Sequence, residues 1–171
     1  MKLWTIQSFH AWEEALASGY LVGNVNFVWE EFLQPYHWMM EQMKNRLPNY
    51  RDEYPVWLWP DRPDLRHSGH MSKGKKAVLL EVNLNEENVL FSDFQAWHIV
   101  LANHYLALTE EEDLLFESGC GNMSIEESWQ RIFNYDEIRQ YEYWEGSEDL
   151  QAVTGAVPLS RIKHIKTFIG R

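Results

Sequence analysis

A single cysteine, Cys120, stands in a chain of 171 residues. It excludes an intramolecular disulfide and every zinc site that needs several thiolates. Long apolar runs are equally scarce. No stretch approaches the roughly 20 residues that span a bilayer, and the opening MKLWTIQSFHAWEE turns acidic before it can form a secretory h-region. The expectation is a soluble, cytoplasmic protein with no membrane partner. Basic residues are few: fifteen Lys and Arg against twenty-six Asp and Glu, for a net charge of −11. That sign argues against non-specific binding along duplex DNA, which needs a broad basic face. A Gly-rich phosphate loop of the Walker or Rossmann type is missing, as are internal repeats and low-complexity tracts.

Aromatic residues are abundant, with nine Trp, eight Tyr and eight Phe. Large rings favour packed cores and stacking surfaces. Charge is unevenly spread. Between Glu110 and Asp149 thirteen acids face only Arg131 and Arg139, so that segment alone carries −11. Bases gather in two other segments, Arg62 to Lys76 and Arg161 to Arg171, which hold nine of the fifteen. A local basic pocket for a phosphate-bearing small molecule is compatible with this distribution.

The length fits one domain, residues 1–171. Lys2 to Gln7 reads as a first strand, after which Ser8 offers an N-cap and Phe9, Trp12 and Leu16 keep helical spacing until Gly19. Asn26 to Arg46 is helical in period, with Phe32, Tyr36, Met39, Met40 and Met43 on one face and Pro35 starting a second helix within the run. Tyr54 to Trp59 and Ala77 to Asn83 read as strands, and Val89 to Phe91 extends or pairs with the latter. Ser92 or Asp93 caps a helix whose Phe94, Trp97, His98 and Leu101 share a face. Thr109 with Glu112, and Ser124 with Glu127, match capping-box spacing, the second opening a helix with Ile125, Trp129 and Phe133 inward. Tyr141 to Trp144, Gln151 to Thr154 and His164 to Ile169 read as late strands. Strands at both ends with helices between them predict an α+β fold.

The stretch VWLWPDRPDLRHSGH, Val56 to His70, draws the eye. Trp57 and Trp59 alternate with Val56 and Leu58, so the tryptophans share a face. Facing a cleft, they would stack on a nicotinamide or adenine ring while Arg62 or Arg66, rigid positive forks, meet phosphates. The plainer alternative is a surface hairpin whose Asp61 and Asp64 pair with neighbouring arginines. His67 and His70 have a spacing that suits a metal on a helix, but RHSGH reads as a turn, and no metal is expected. His98 and His104 read as structural histidines, and Cys120, in SGCGN, as a loop thiol.

Three segments together resemble the ADP-ribosyltransferase fold of DNA-targeting toxins. LWTIQSFHAWEEALASGYL is similar to that fold's first strand and helix, YPVWLWPDRPDL with AVLLEV to its aromatic strand and arginine loop, and LQAVTGAVPLSRIKHIKTFI to its closing unit. The whole chain also resembles a bacterial family of uncharacterised domains that share the LWTIQS start, the SDF…W and ESWxRIF helices and this ending. The transferase resemblance implies split antiparallel or mixed sheets flanked by helices and gripping NAD, the substrate, in the cleft between them. It implies Thr5 near the nicotinamide ribose, Arg62 in the arginine position and Trp57 or Trp59 walling the ring; the loop's own residues add Arg66 and His67 as candidates for holding the cofactor. Gln151 stands where such enzymes carry glutamate, and an amide there keeps a hydrogen bond but loses the charge that stabilises an oxocarbenium-like ribose. Glu148 is the nearby carboxylate that would substitute, displaced by about 10 Å at strand spacing. Three functions are therefore expected in competition. The first is an ADP-ribosyltransferase, possible as a toxin-like enzyme on nucleic acid or protein. The second is an inactive module on the same fold that binds a nucleotide or nucleic acid. The third is a protein-interaction domain that uses the acidic helices.

Overall fold

A computed structural model describes residues 1–144 and 149–171. Its strands are β1 (Lys2–Ser8), β2 (Tyr20–Leu21), β3 (Val56–Leu58), β4 (Lys76–Asn83), β5 (Leu90–Asp93), β6 (Leu150–Thr154), β7 (Val157–Pro158) and β8 (Ile162–Ile169). Its helices are α1 (Phe9–Ser18), α2 (Leu33–Arg46), α3 (Phe94–Leu101), α4 (Glu110–Glu117), α5 (Ile125–Trp129) and α6 (Tyr135–Ile138). The fold is α+β, and among the described residues the strands form small sheets ordered β1-β4-β8, β2-β7 and β3-β6-β5. The chain gathers into two compact units. A sheet unit comprises 1–27, 40–90 and 152–171, and a helical unit 28–39 and 91–151. Charge divides with them: the helical unit holds sixteen carboxylates against two arginines, the sheet unit ten against thirteen bases.

In the sheet unit β1 pairs antiparallel with β4 over its full length, and β4 with β8. Leu3, Val78, Leu80 and Val82 share one face of this sheet and are buried. The α1 helix starts where Ser8 accepts the Ala11 amide at 3.1 Å and stops where Gly19, at φ 89°, takes the left-handed conformation that closes a helix. β1 has a second neighbour. Trp4 exchanges both backbone hydrogen bonds with Trp59, at 2.8 and 2.7 Å, which ties β3 to the free edge of β1. On its far side β3 pairs with β6 from Val56–Thr154 to Leu58–Ala152.

The helical unit is built around Trp38, Trp97, Val100, Leu106, Trp129, Ile132 and Ile138, all buried. Trp38 meets Trp129 edge-on at 5.4 Å and stacks on Phe133 at 5.8 Å. A half-buried ion pair fixes the Tyr105–Leu108 segment. Arg131 donates to both oxygens of Glu112, at 2.6 and 2.9 Å, and to the Leu106 carbonyl at 2.6 Å. Glu112 also accepts from the Tyr105 hydroxyl and the Leu108 amide, each at 2.8 Å.

Several sequence expectations are corrected. The run from Asn26 opens with 3-10 turns at Val25–Phe27 and Glu30–Phe32, and α2 begins at Leu33, so Pro35 falls in its first turn, where amides have no helical partner. Of the two candidate caps of α3, Asp93 is the one that acts, accepting from Ala96 at 2.8 Å. His98 leaves the buried face of α3: its Nδ1 bonds the Phe94 carbonyl at 2.8 Å and its ring meets Phe94 in the open. Thr109 caps α4, but Glu112 does not complete the box, because Arg131 and Leu108 hold its carboxylate. Ser124 and Glu127 do form the full capping box. Tyr141–Trp144 is a turn rather than a strand. Its amides bond locally, Tyr141 to Ile138 and Trp144 to Tyr141, which leaves no ladder for a neighbour.

Candidate functional site

Residues directly opposite in an antiparallel pair share a face, and neighbours along a strand alternate. The register therefore sorts the sheet unit's side chains. Thr5 lies opposite Leu80, and Leu80 opposite His164. On that face Trp12 of α1 stacks on His164 at 6.1 Å, and Lys76 sits 3.5 Å over the Phe9 ring. α1 thus covers the face that holds Thr5, which is 1% exposed and accepts from Gln7 Nε2 at 2.8 Å.

The other face carries Trp4, with Glu81 and Lys163 in register beside it, and Leu79 opposite Lys166. Lys2 on the same face pairs with Glu81 at 3.5 Å. Trp59, paired with Trp4, points to this side, and Trp57 follows by alternation while Val56 and Leu58 are buried on the reverse. Arg62 completes the arrangement, its guanidinium carbon 5.3 Å from the Trp4 ring centre. Trp57 and Trp59 are half-buried, whereas Arg62, Lys163 and Lys166 are exposed. Arg62 from one basic segment and Lys163 and Lys166 from the other thus lie on one sheet face, with Glu81 between Trp4 and Lys163, whereas Lys76 lies on the opposite face.

The rest of the loop is organised by Asp64. Arg66 donates Nε and Nη2 to its carboxylate, the shortest contact being 2.6 Å, and adds its backbone amide at 3.0 Å. The hydrogen bonds from Arg66 hold the Asp64 carboxyl well below the usual carboxylate range. His67 Nε2 lies 3.7 Å from the same carboxylate. His70 Nε2 is 3.1 Å from the Asp64 carbonyl, and its ring meets Trp59 edge-on at 6.4 Å. Arg66 and His67 are thus engaged within the loop, as the ion-paired alternative expects, while Arg62 is directed at the aromatic face.

The remaining candidates divide. Thr5 and Arg62 belong to the sheet unit but flank opposite faces of β1, because Arg62 sits on Trp4 and Thr5 is the next residue along the strand. Gln151 belongs to the helical unit, is 4% exposed, and donates from Nε2 to Ser92 at 3.2 Å. Glu148 lies outside the described residues. Cys120 is exposed.

Cavities among the described residues escaped the sequence reading, including one of about 340 Å³ between α1 and Tyr54 in the sheet unit and two others. One, about 290 Å³, lies in the sheet unit among Tyr50, Glu53, Asn85, Asn88, Gly155 and Arg161. The other, about 690 Å³, lies in the helical unit between Phe116, Tyr143 and Trp144, with Asp113 and Glu117 on its wall. NYRDEY, NLNEEN and TGAVP, which supply most of the cavity lined by Tyr50 and Arg161, carry no signal in the sequence that would bring them together. Turn chemistry does not tell which turns will meet.

No helix among the described residues is long and apolar enough to cross a membrane. No curated protein and no solved structure matches the chain, so the ADP-ribosyltransferase resemblance draws no support from that side. Residues 2–127 match the family described as Domain of unknown function (DUF3841), and the chain belongs to that family.

Proposed function

We propose that this protein is a binding module for a nucleotide-type ligand, which it takes on the sheet face formed by Trp4, Trp57, Trp59, Arg62, Lys163 and Lys166. The placement of Arg62 over Trp4 carries the reading, because it sets a fixed positive fork on an aromatic face that already holds two lysines in register. Rings of this kind stack on bases irrespective of sequence, and guanidinium and ammonium groups neutralise phosphate. Half-burial of Trp57 and Trp59 leaves ring area for a planar ligand, while Trp4 is buried beneath Arg62.

NAD-dependent ADP-ribosyl transfer is the second reading. The three-segment resemblance favours it, as does the closeness of the arginine loop to the first strand. Thr5 beneath α1 and the Gln151 amide donated to Ser92 favour binding without turnover, since neither puts a carboxylate beside Arg62. Isothermal calorimetry with NAD, ADP-ribose and short oligonucleotides separates the outcomes. Saturable binding that weakens on the order of tenfold in Arg62→Ala supports the module, in keeping with the loss of a charge-assisted contact. Silence across the panel, or binding indifferent to Arg62→Ala, removes it. Nicotinamide release above the Arg62→Ala background would establish transfer instead.

A further inference from the structure

We propose a second, separate binding site in the sheet unit: the cavity between Tyr50, Glu53, Asn85, Asn88 and Arg161 takes a free α-amino acid. Its construction starts in the turn after α2. Asp52 adopts φ 66°, and this left-handed residue folds Glu53 back so that its Oε2 accepts the Arg51 amide at 3.0 Å. The Tyr50 hydroxyl donates to the Glu53 carbonyl at 2.6 Å, which fixes its ring as a wall. Burial, then the Glu53 and Asp52 carboxylates, push that phenol well above its usual range, so it stays a neutral donor. Gly155 closes the opposite side. A Cβ there would stand 2.8 Å from Glu53 Oε2 and 3.1 Å from the Tyr50 ring, so a side chain at this position would displace the carboxylate from its place on the wall.

The third side is the turn at Glu86–Asn88. Asn49 Nδ2 donates to Asn88 Oδ1 at 3.0 Å, and the Thr154 hydroxyl to the Asn88 carbonyl at 2.7 Å. With its oxygen engaged, the Asn88 amide retains Nδ2 as a donor. Asn85 precedes that turn without a side-chain capping bond. Glu53 and Arg161 are the charged residues on the wall, and no ion pair joins them. Opposite charges that line one small cavity without pairing match a ligand that carries both signs. The Glu53 carboxylate suits an ammonium, the exposed Arg161 fork suits a carboxylate, and the asparagine amides suit a polar side chain. The size suits a ligand smaller than a drug-sized one: about 290 Å³ lies just below the roughly 300–1,000 Å³ typical of pockets for drug-sized ligands.

The experiment is calorimetry of the full chain with the twenty free amino acids, with glucose and inorganic phosphate as controls. The best ligand is then compared with its N-acetyl and its carboxamide forms. At least one amino acid is expected to bind saturably, while glucose and phosphate do not. N-acetylation and Glu53→Gln should each weaken it on the order of tenfold or more, and so should amidation and Arg161→Ala. Glu53→Gln keeps an acceptor for the Arg51 amide, Arg161 is exposed, and the ligand derivatives need no variant, so misfolding does not confound the result. Absence of saturable binding by every amino acid overturns the proposal. So does affinity unchanged by both derivatives and both variants, or equal binding of glucose or phosphate. None of these outcomes bears on the Trp4–Arg62 face, which Arg62→Ala tests by itself.

Discussion

Replacing Arg131 with methionine removes a guanidinium while keeping an unbranched apolar stem. The native side chain donates twice to Glu112 and once to the Leu106 carbonyl. After the change Glu112 still accepts from the Tyr105 hydroxyl and the Leu108 amide, so its charge is deprived of its counter-ion but not of every partner. A hydrogen bond to a charged group contributes about 1.5–3 kcal/mol, and breaking a fully buried ion pair costs about 3–5 kcal/mol. Side-chain exposures of 18% for Arg131 and 24% for Glu112 let solvent screen part of that. The expected loss is about 2–3 kcal/mol at pH 7. Urea unfolding followed by tryptophan fluorescence reads it as a lower midpoint at unchanged slope.

Acid provides the second arm. Burial raises the Glu112 carboxyl, but the hydrogen bonds from Arg131, Leu108 and Tyr105 outweigh it and leave the group below its ordinary value of 4.5. A carboxyl depressed in the folded state adds stability that is complete above the unfolded value and lost as pH falls through the folded one. The gap between wild type and Arg131→Met must therefore narrow on acidification. A gap under about 0.5 kcal/mol at pH 7, the scale of an ordinary surface change, refutes the reasoning, as does a gap that widens in acid.

Two further substitutions test the remaining structure. Ser8→Ala removes the α1 cap on the Ala11 amide and should lower stability by about 1 kcal/mol in the same urea assay, with Ser8→Gly costing less. Gln151→Glu places a carboxyl at a position 4% exposed and replaces the amide donor to Ser92. The charged form should cost about 1–3 kcal/mol at pH 7, and because burial raises a carboxyl's pKa, part of the loss should return toward pH 5. Stability that instead rises with pH would mean that the new carboxylate has found a cation.

Much of the local structure was legible because it depends on neighbours in sequence. Ser8, Gly19 and the Ser124–Glu127 box terminate helices through bonds within a few residues. The alternation of Trp57 and Trp59 with Val56 and Leu58 set their faces before any partner strand was known. Failures arose where a distant group competed for the same side chain or amide. Arg131 took the Glu112 carboxylate from its expected cap, nineteen positions away. Trp144 fitted a strand by composition, yet its backbone bonded Tyr141 and its indole the Ala107 carbonyl.

By itself the sequence determined the α+β class, both ends of α1 and the capping box of α5, the shared face of Trp57 and Trp59 and the separation of acidic from basic segments, since each follows from residue type and short-range spacing. Only the tertiary structure decided that Arg62 rests on Trp4, that Thr5 lies beneath α1 on the reverse face, and that Glu53, Asn88 and Arg161 border one cavity. Those outcomes depend on strand register and on turns that meet across long stretches of chain, where a shift of one residue would exchange every face.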